Sequence, residues 1–208
     1  PIHRILGITE IARQELDIPE LEEYLVNIRD NSDKVLQSLT ALVEFSKLDS
    51  QMAQNHFRPV DIWKSLIELR KELEEAAHRK NLKLHIPDIE PQIAVAGDKF
   101  LLQECWRIVI GNSIKFTEEG EISVTLDKHG KDVVIRITDT GRGMQEDFLP
   151  KVFQPFMQES AGFNRSHEGL GLGLSIARRY VDSHKGRIEM QSKLNKGTIV
   201  TLAFPMLN

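Results

Sequence analysis

The segment Val133-Val134-Ile135-Arg136-Ile137-Thr138-Asp139-Thr140-Gly141-Arg142-Gly143 alternates apolar and polar residues towards its end, then passes through an aspartate into a glycine-rich loop. Period-two alternation marks a half-buried strand, so Val133 to Asp139 is expected to be one. Glu121 to Leu126 is its hairpin partner, around a turn at Lys128-His129-Gly130. Upstream, Asp98 is suited to cap a long helix through Phe116. Downstream, Leu172 to His184 reads as a helix closed by Gly186, and Arg187 to Gln191 with Thr198 to Phe204 as a last hairpin. Further back, His56 to Val60 reads as a strand and Asp61 to Lys80 as a helix opened by an aspartate cap, followed by short strands at Leu82 to Ile86 and Ile93 to Ala96. Strands outnumber the helices between them. This region is therefore expected to be an α+β sandwich, with helices on one face of a mixed sheet.

The first fifty residues follow another rhythm. Leu21, Leu25, Ile28, Val35, Leu39 and Leu42 are spaced alternately by four and three, with Ser32 and Ser46 on the missing beats. Ile2, Ile5, Thr9, Ala12 and Leu16 repeat the pattern more weakly, and Asp17-Ile18-Pro19 interrupts it. Such a repeat marks helices that pack in a coiled coil or bundle. The expected division is a helical hairpin over residues 1–52 and a second domain over 53–208. Two helices bury too little alone, so a second copy completing a four-helix bundle through residues 1–50 is the economical arrangement. The chain opens on proline with an apolar rhythm already running, and so reads as a fragment.

The 208 residues carry a net charge of −4, which leaves no basic field to draw in nucleic acid. No apolar run approaches the length of a membrane span, so no membrane contact is expected here, and the composition suits the cytoplasm. The one cysteine, Cys105, sits among Trp106, Val109 and Ile110 and reads as a small core residue. The histidines at 56, 78, 85, 129, 167 and 184 lack metal-ligand spacing, so no zinc site is expected.

Three elements carry chemistry. Gly169-Leu170-Gly171-Leu172-Gly173 leads into a helix, and glycine backbone beside a helix start suits a phosphate. The same run is also what a tight turn looks like. Asp139, at a strand end before Gly141 and Gly143, is placed to accept a hydrogen bond from an amino group such as that of adenine; a plain turn is the alternative. Asn112 interrupts an apolar helix and needs a partner, which a hydrated Mg²⁺ shared with phosphate oxygens would supply. One turn on, Lys115 is within reach of phosphates and Phe116 of a base; a satisfied core asparagine and a solvated lysine are the plain alternatives for Asn112 and Lys115.

In order and spacing these residues resemble the boxes of sensor histidine kinases. Asn112 to Thr117 is similar to the N box, Asp139 to Gly143 to the first glycine box, Val152-Phe153-Gln154-Pro155-Phe156 to the F box, and Gly169 to Gly173 to the second glycine box. Ser46-Lys47-Leu48-Asp49 resembles the end of the second hairpin helix, so the resemblance covers essentially the whole chain. It implies a Bergerat-type ATP-binding fold with Asn112 on Mg²⁺ and Asp139 on the adenine amino group. Lys115 would lie near the phosphates, which the run from Gly169 through Leu170, Gly171 and Leu172 to Gly173 would cradle. Thr198, after Gly197, would support the aspartate. Residues between Phe156 and Glu168 would form a mobile lid, with Arg165 placed to neutralise the terminal phosphate. The implied partners are a second copy of the chain and a response-regulator receiver domain, with the parent protein in the cytoplasm or anchored to the inner membrane.

The family's phosphoacceptor histidine belongs shortly before Pro1, and His3 falls on the wrong side of the proline. Ile108 stands where a second amide is usual, leaving Glu104, one turn further back, as the nearby carboxylate able to compensate or orient water. Glu168 and Leu170 replace a common glycine and threonine. Two readings result. One is an ATP-dependent protein-histidine kinase core. The other is a degenerate module acting as a signalling scaffold or by pairing its hairpin with that of another kinase.

Overall fold

A computed structural model of the chain describes residues 2–15, 24–29, 32, 35, 36, 39, 43, 57–88, 92–159 and 170–207. Two compact units divide the chain, Pro1–Asp49 and Ser50–Asn208.

In the first unit, α1 spans Ile2–Glu15, and residues 24–29 with 32, 35, 36, 39 and 43 are helical. Thr9, a polar residue on a heptad position, is buried and satisfies its hydroxyl by donating to the carbonyls of Ile5 and Leu6 at 3.1 and 2.9 Å. Ile5, Ile28, Val35 and Leu39 on the same pattern remain between 42% and 50% exposed within this single unit. Leu21, Leu42 and the turn at Asp17-Ile18-Pro19 lie outside the described residues.

The second unit opens with β1 (Arg58–Asp61), α2 (Ile62–Ile67), α3 (Arg70–His78), β2 (Lys83–His85), β3 (Ala94–Gly97) and α4 (Lys99–Phe116). It continues with β4 (Glu121–His129), β5 (Asp132–Asp139), a 3-10 turn at Leu149–Lys151, α5 (Gly173–Ser183), β6 (Arg187–Lys193) and β7 (Gly197–Pro205). Five strands form one sheet in the order β2-β4-β5-β7-β6. β2 pairs parallel with β4 and the other pairs are antiparallel, which makes the sheet mixed as expected. β1 and β3 instead pair with each other, antiparallel, in a separate two-stranded sheet.

Alternation sets the layers. Val133, Ile135 and Ile137 of β5 are fully buried on one face, level with Phe204, Leu202 and Val200 of β7. Helices α4 and α5 cover that face: the Trp106 ring meets Phe204 edge-on at 6.1 Å, and α5 buries Ile176, Ala177, Tyr180 and Val181. Each fully buried Val, Leu or Ile there contributes roughly 1.5–3 kcal/mol. Trp106 also donates its indole N–H to Ser65 at 3.0 Å, which fixes α2 against α4. Cys105 is buried in this core, and burial pushes its thiol up to about 12, so it is an unreactive packing residue.

Two helix ends differ from their expected form. The helix expected over Asp61 to Lys80 breaks at Glu68-Leu69, where the Leu69 amide turns to Leu66 instead of the carbonyl four residues back. At the end of α5 the left-handed residue is Lys185, with φ 56°, and the Gly186 amide bonds back to Val181. Gly186 is required for space: a Cβ there would lie 2.7 Å from the Ala203 carbonyl oxygen. Among the described residues, no helix is long and apolar enough to cross a membrane.

Candidate functional site

The site grows from the ends of β5 and β7. In the strand register, the rung that carries Asp139 runs from Ile122 through Asp139 and Thr198 to Ser192. Because Asp139 follows Ile137 by two residues, its carboxylate falls on the buried, helix-covered face, where it is only 7% exposed. Its Oδ1 accepts the amides of Gly141 at 3.0 Å and Thr198 at 3.1 Å. Burial raises the Asp139 pKa; these two amides and the Ser113 hydroxyl oppose that rise. A buried carboxylate set among a few fixed donors is suited to take one further donor from a ligand.

Glycine is required around it. A Cβ on Gly141 would stand 2.6 Å from the Phe116 carbonyl oxygen and 2.9 Å from Thr117 Oγ1. Gly143, with φ 63°, lies against the Lys193 carbonyl, and Gly197, with φ 90°, against the carbonyl of Asp139 itself. The loop after β5 is thereby laid on the β6–β7 turn, where the Asn195 amide donates to the Arg142 carbonyl at 2.6 Å.

Sequence reasoning missed two residues of this cluster. Ser192 accepts the Met144 amide at 2.9 Å, donates to the Gly197 carbonyl at 2.9 Å, and lies 2.9 Å from Thr198 Oγ1. It ties the first glycine loop to the strand that supports Asp139. Ser113 is the second. The signal available for Ser192 was its place opposite Thr198 in the last hairpin; for Ser113 it was its place within the Asn112 to Thr117 segment.

Helix α4 supplies the opposite wall. Phe116 ends it, with the Arg142 guanidinium 4.9 Å and the Lys115 ammonium 5.2 Å from the ring centre. The Phe116 ring is thus engaged by two cations of the chain itself. Arg142 also pairs with Glu159 at 3.8 Å, and Glu159 accepts the Gln145 amide at 2.7 Å. Asn112 is half-buried. A Cβ built on Gly173 would sit 3.9 Å from its amide nitrogen and 3.4 Å from the Ile108 side chain. The start of α5 therefore faces both Asn112 and Ile108.

Gly171 has φ 69°, accepts the Phe156 amide at 3.0 Å, and would clash with the Met157 carbonyl if it carried a Cβ. This joins the expected F box to the glycine run. Leu172 is buried and Leu170 half-buried. Glu104 is bound by Arg107, which also reaches Glu72 of α3. Arg165, Glu168 and Gly169, and the greater part of the expected lid, lie outside the described residues.

The residues present fit an adenine nucleotide with a hydrated cation. One buried carboxylate lies beside a closely packed glycine, and a second glycine loop stands beside a helix start and an asparagine amide. Among the described residues, no group of three or more His, Cys, Asp or Glu could hold a metal alone. A Mg²⁺ that keeps its waters and takes phosphate oxygens asks for no such cage.

Comparison with known proteins agrees. Residues 97–208 match the family described as histidine kinase-, DNA gyrase B-, and HSP90-like ATPase. The chain is 29% identical over 205 residues to the signal transduction histidine-protein kinase BarA of Escherichia coli (strain K12), across 95% of this chain and 22% of that protein. It is 25% identical over 213 residues to the autoinducer 2 sensor kinase/phosphatase LuxQ of Vibrio harveyi, across 99% of this chain and 25% of that protein. The chain thus spans about a quarter or less of these relatives. Its fold is similar to that of full-length ShkA, solved in complex with AMPPNP, with a TM-score of 0.75 and 24% identity over 100% of this chain and 43% of that one. It is also similar to the histidine kinase AdeS of Acinetobacter baumannii, with a TM-score of 0.66 and 18% identity over 100% of this chain and 96% of that one. With its family matched over more than half its length, the chain belongs to the histidine kinase-, DNA gyrase B-, and HSP90-like ATPases.

Proposed function

We propose that the chain is the ATP-binding core of a protein-histidine kinase in a two-component signalling system. The observation that carries this reading is the Asp139 rung: a buried carboxylate on an ATPase-family scaffold, held by the amides of Gly141 and Thr198 beside a glycine that a side chain could not replace. Asp139 would accept the adenine amino group, Thr198 and Gly141 would fix its orientation, and Gly143 would let the loop close on the neighbouring turn. Lys115 and the Leu170 to Gly173 backbone would bind phosphate oxygens. The amide oxygen of Asn112 would hold Mg²⁺, which when bound supplies charge neutralisation between phosphates. The places of Gly169 and of Arg165 beside the terminal phosphate rest on the family resemblance.

Residues 1–52 are proposed as the dimerising and phosphotransfer hairpin and 53–208 as the catalytic domain. The exposed apolar positions Ile5, Ile28, Val35 and Leu39 support a homodimer built through residues 1–50. The phosphoryl group would pass to a histidine upstream of this chain and then to an aspartate of a response-regulator receiver domain. In this reading the site works in the cytoplasm, with the parent protein free or anchored in the inner membrane.

The test is transfer of label from the terminal phosphate of ATP to a version extended upstream through the phosphoacceptor helix, followed by chase onto a receiver domain. Acid-labile, chaseable label is the expected result. No label, with nucleotide binding intact, favours a second reading: a degenerate module acting as a scaffold or pairing with another kinase. Ile108 supports that alternative, because it places a branched alkyl side chain beside Gly173 and one helical turn from Asn112.

A further inference from the structure

The carbonyls at the end of α4 are fully accounted for, and a side chain from outside the helix holds most of them. A helix leaves its last four carbonyls without partners in the helix, and their dipoles make that end negative. In α4 the Ser113 carbonyl receives both the amide and the hydroxyl of Thr117, at 3.1 and 2.7 Å. The Phe116 carbonyl receives the Arg142 amide at 3.2 Å. The three that remain, on Ile114, Lys115 and Thr117, all accept from the Lys80 ammonium, at 2.8, 2.9 and 2.7 Å. An ammonium has three donors and no acceptor, so this placement uses its full capacity.

Lys80 is itself held in place. It lies in the turn that ends α3, where the Asn81 amide bonds to His78, the Leu82 amide to Ala77, and Asn81 takes φ 56°. Leu82 and Ala77 bury their side chains beneath the turn. The Lys83 amide then bonds to the Gly120 carbonyl, just past the end of α4.

We propose that Lys80 is a positioning residue for nucleotide binding, acting by pinning the last turn of α4. The inference rests on the nucleotide reading given above. The turn it pins carries Ser113, which bonds to Asp139, and Lys115 and Phe116; the Phe116 carbonyl and Thr117 hydroxyl form the floor under Gly141. Removing the ammonium would leave three part-buried carbonyls unpaired and free the turn to fray, disturbing both walls of the site together. Lys80 touches no part of the ligand in this account.

The test is calorimetric titration of the 208-residue chain with ATP and Mg²⁺, at a temperature where circular dichroism shows each variant folded. Lys80→Met keeps the alkyl stem and removes the charge; its Kd is expected to rise about tenfold as preorganisation is lost. Lys80→Arg, which can also donate to several carbonyls, is expected to restore most of the affinity. Val134→Ala, on the sheet face opposite the helices, should lower Tm without moving Kd. An unchanged Kd in Lys80→Met, or an equal rise in Val134→Ala, would overturn the proposal, since either makes Lys80 a stabilising residue only. If the methionine variant does not fold, Lys80→Gln replaces it with the same expected direction, and an unchanged Kd there is equally decisive. Failure of the unsubstituted chain to bind ATP would defeat the nucleotide reading itself, whereas normal binding with an indifferent Lys80 defeats this inference alone.

Discussion

Asp139 receives two backbone amides and a hydroxyl and shares its rung with Thr198 and Ser192, whereas Asn112 stands one turn from Ile108 and faces the glycine that starts α5. The first end of the site is a closed polar network around one buried carboxylate. The second has one amide with the Ile108 side chain one turn away. The difference teaches that the end proposed for the base is fixed by this chain's own hydrogen bonds. The end proposed for phosphate and metal would depend on the ligand to supply most of the oxygen atoms.

The comparison breaks most readily at Asp139. Asp139→Asn removes the charge from the hydrogen bond proposed for adenine and is expected to cost about 1.5–3 kcal/mol of ATP binding by titration calorimetry. The same substitution should raise Tm at neutral pH. A carboxylate whose folded pKa lies above its unfolded value loses stability as pH rises through that window, so removing the charge relieves the penalty. Acidification of the unsubstituted protein should weaken ATP binding from a pH above the ordinary carboxylate range, because a protonated Asp139 no longer offers an ionised acceptor.

Gly141→Ala comes next. Its Cβ would meet the Phe116 carbonyl at 2.6 Å, and overpacking of this kind costs roughly 1–3 kcal/mol, read here as reduced Tm together with weaker nucleotide binding. At the other end, Ile108→Asn sharpens the contrast: it should strengthen ATP binding in Mg²⁺ by about 1 kcal/mol and leave binding in EDTA unchanged.

The smallest effect is expected away from the site, at His184. It is buried, accepts the Asp98 amide at Nε2 and donates from Nδ1 to the Tyr180 carbonyl, stacked on Phe57 at 5.0 Å. Burial lowers its pKa, so the unfolded chain binds the proton more readily. Stability is therefore lost as pH falls through the ordinary histidine value of about 6.5 towards the lowered one. A melting series from neutral to mildly acidic pH should show that slope, and His184→Gln should flatten it.

Local patterns were legible where one residue decides the outcome. The alternation ending at Asp139, the Asp98 cap of α4, and the hairpins β4–β5 and β6–β7 followed from the chain alone, with β4 running on to His129 and the turn tightening to Gly130-Lys131. What stayed hidden depends on contacts between distant segments. Nothing near Lys80 announces that its ammonium will end another helix 34 residues later. A serine such as Ser192 carries no period or spacing, and gains its role only from the register that sets it beside Thr198. The pairing of β1 with β3 was illegible for the same reason, since short strands of similar composition do not name their partners. The heptad rhythm is a separate case: it was plain in the sequence, and a second copy of the chain is the proposed cover for its exposed apolar positions.

The central claim is that Asp139 selects an adenine amino group for a nucleotide held by this ATPase-family core. Parallel calorimetric titration with ATP and GTP in Mg²⁺ tests it most directly, because guanine presents a carbonyl oxygen where adenine presents the amino donor. The account predicts one-site binding of ATP and at least about a hundredfold weaker binding of GTP, as a buried acceptor left facing another acceptor is strongly disfavoured. Equal affinity for the two nucleotides, or preference for GTP, would contradict it.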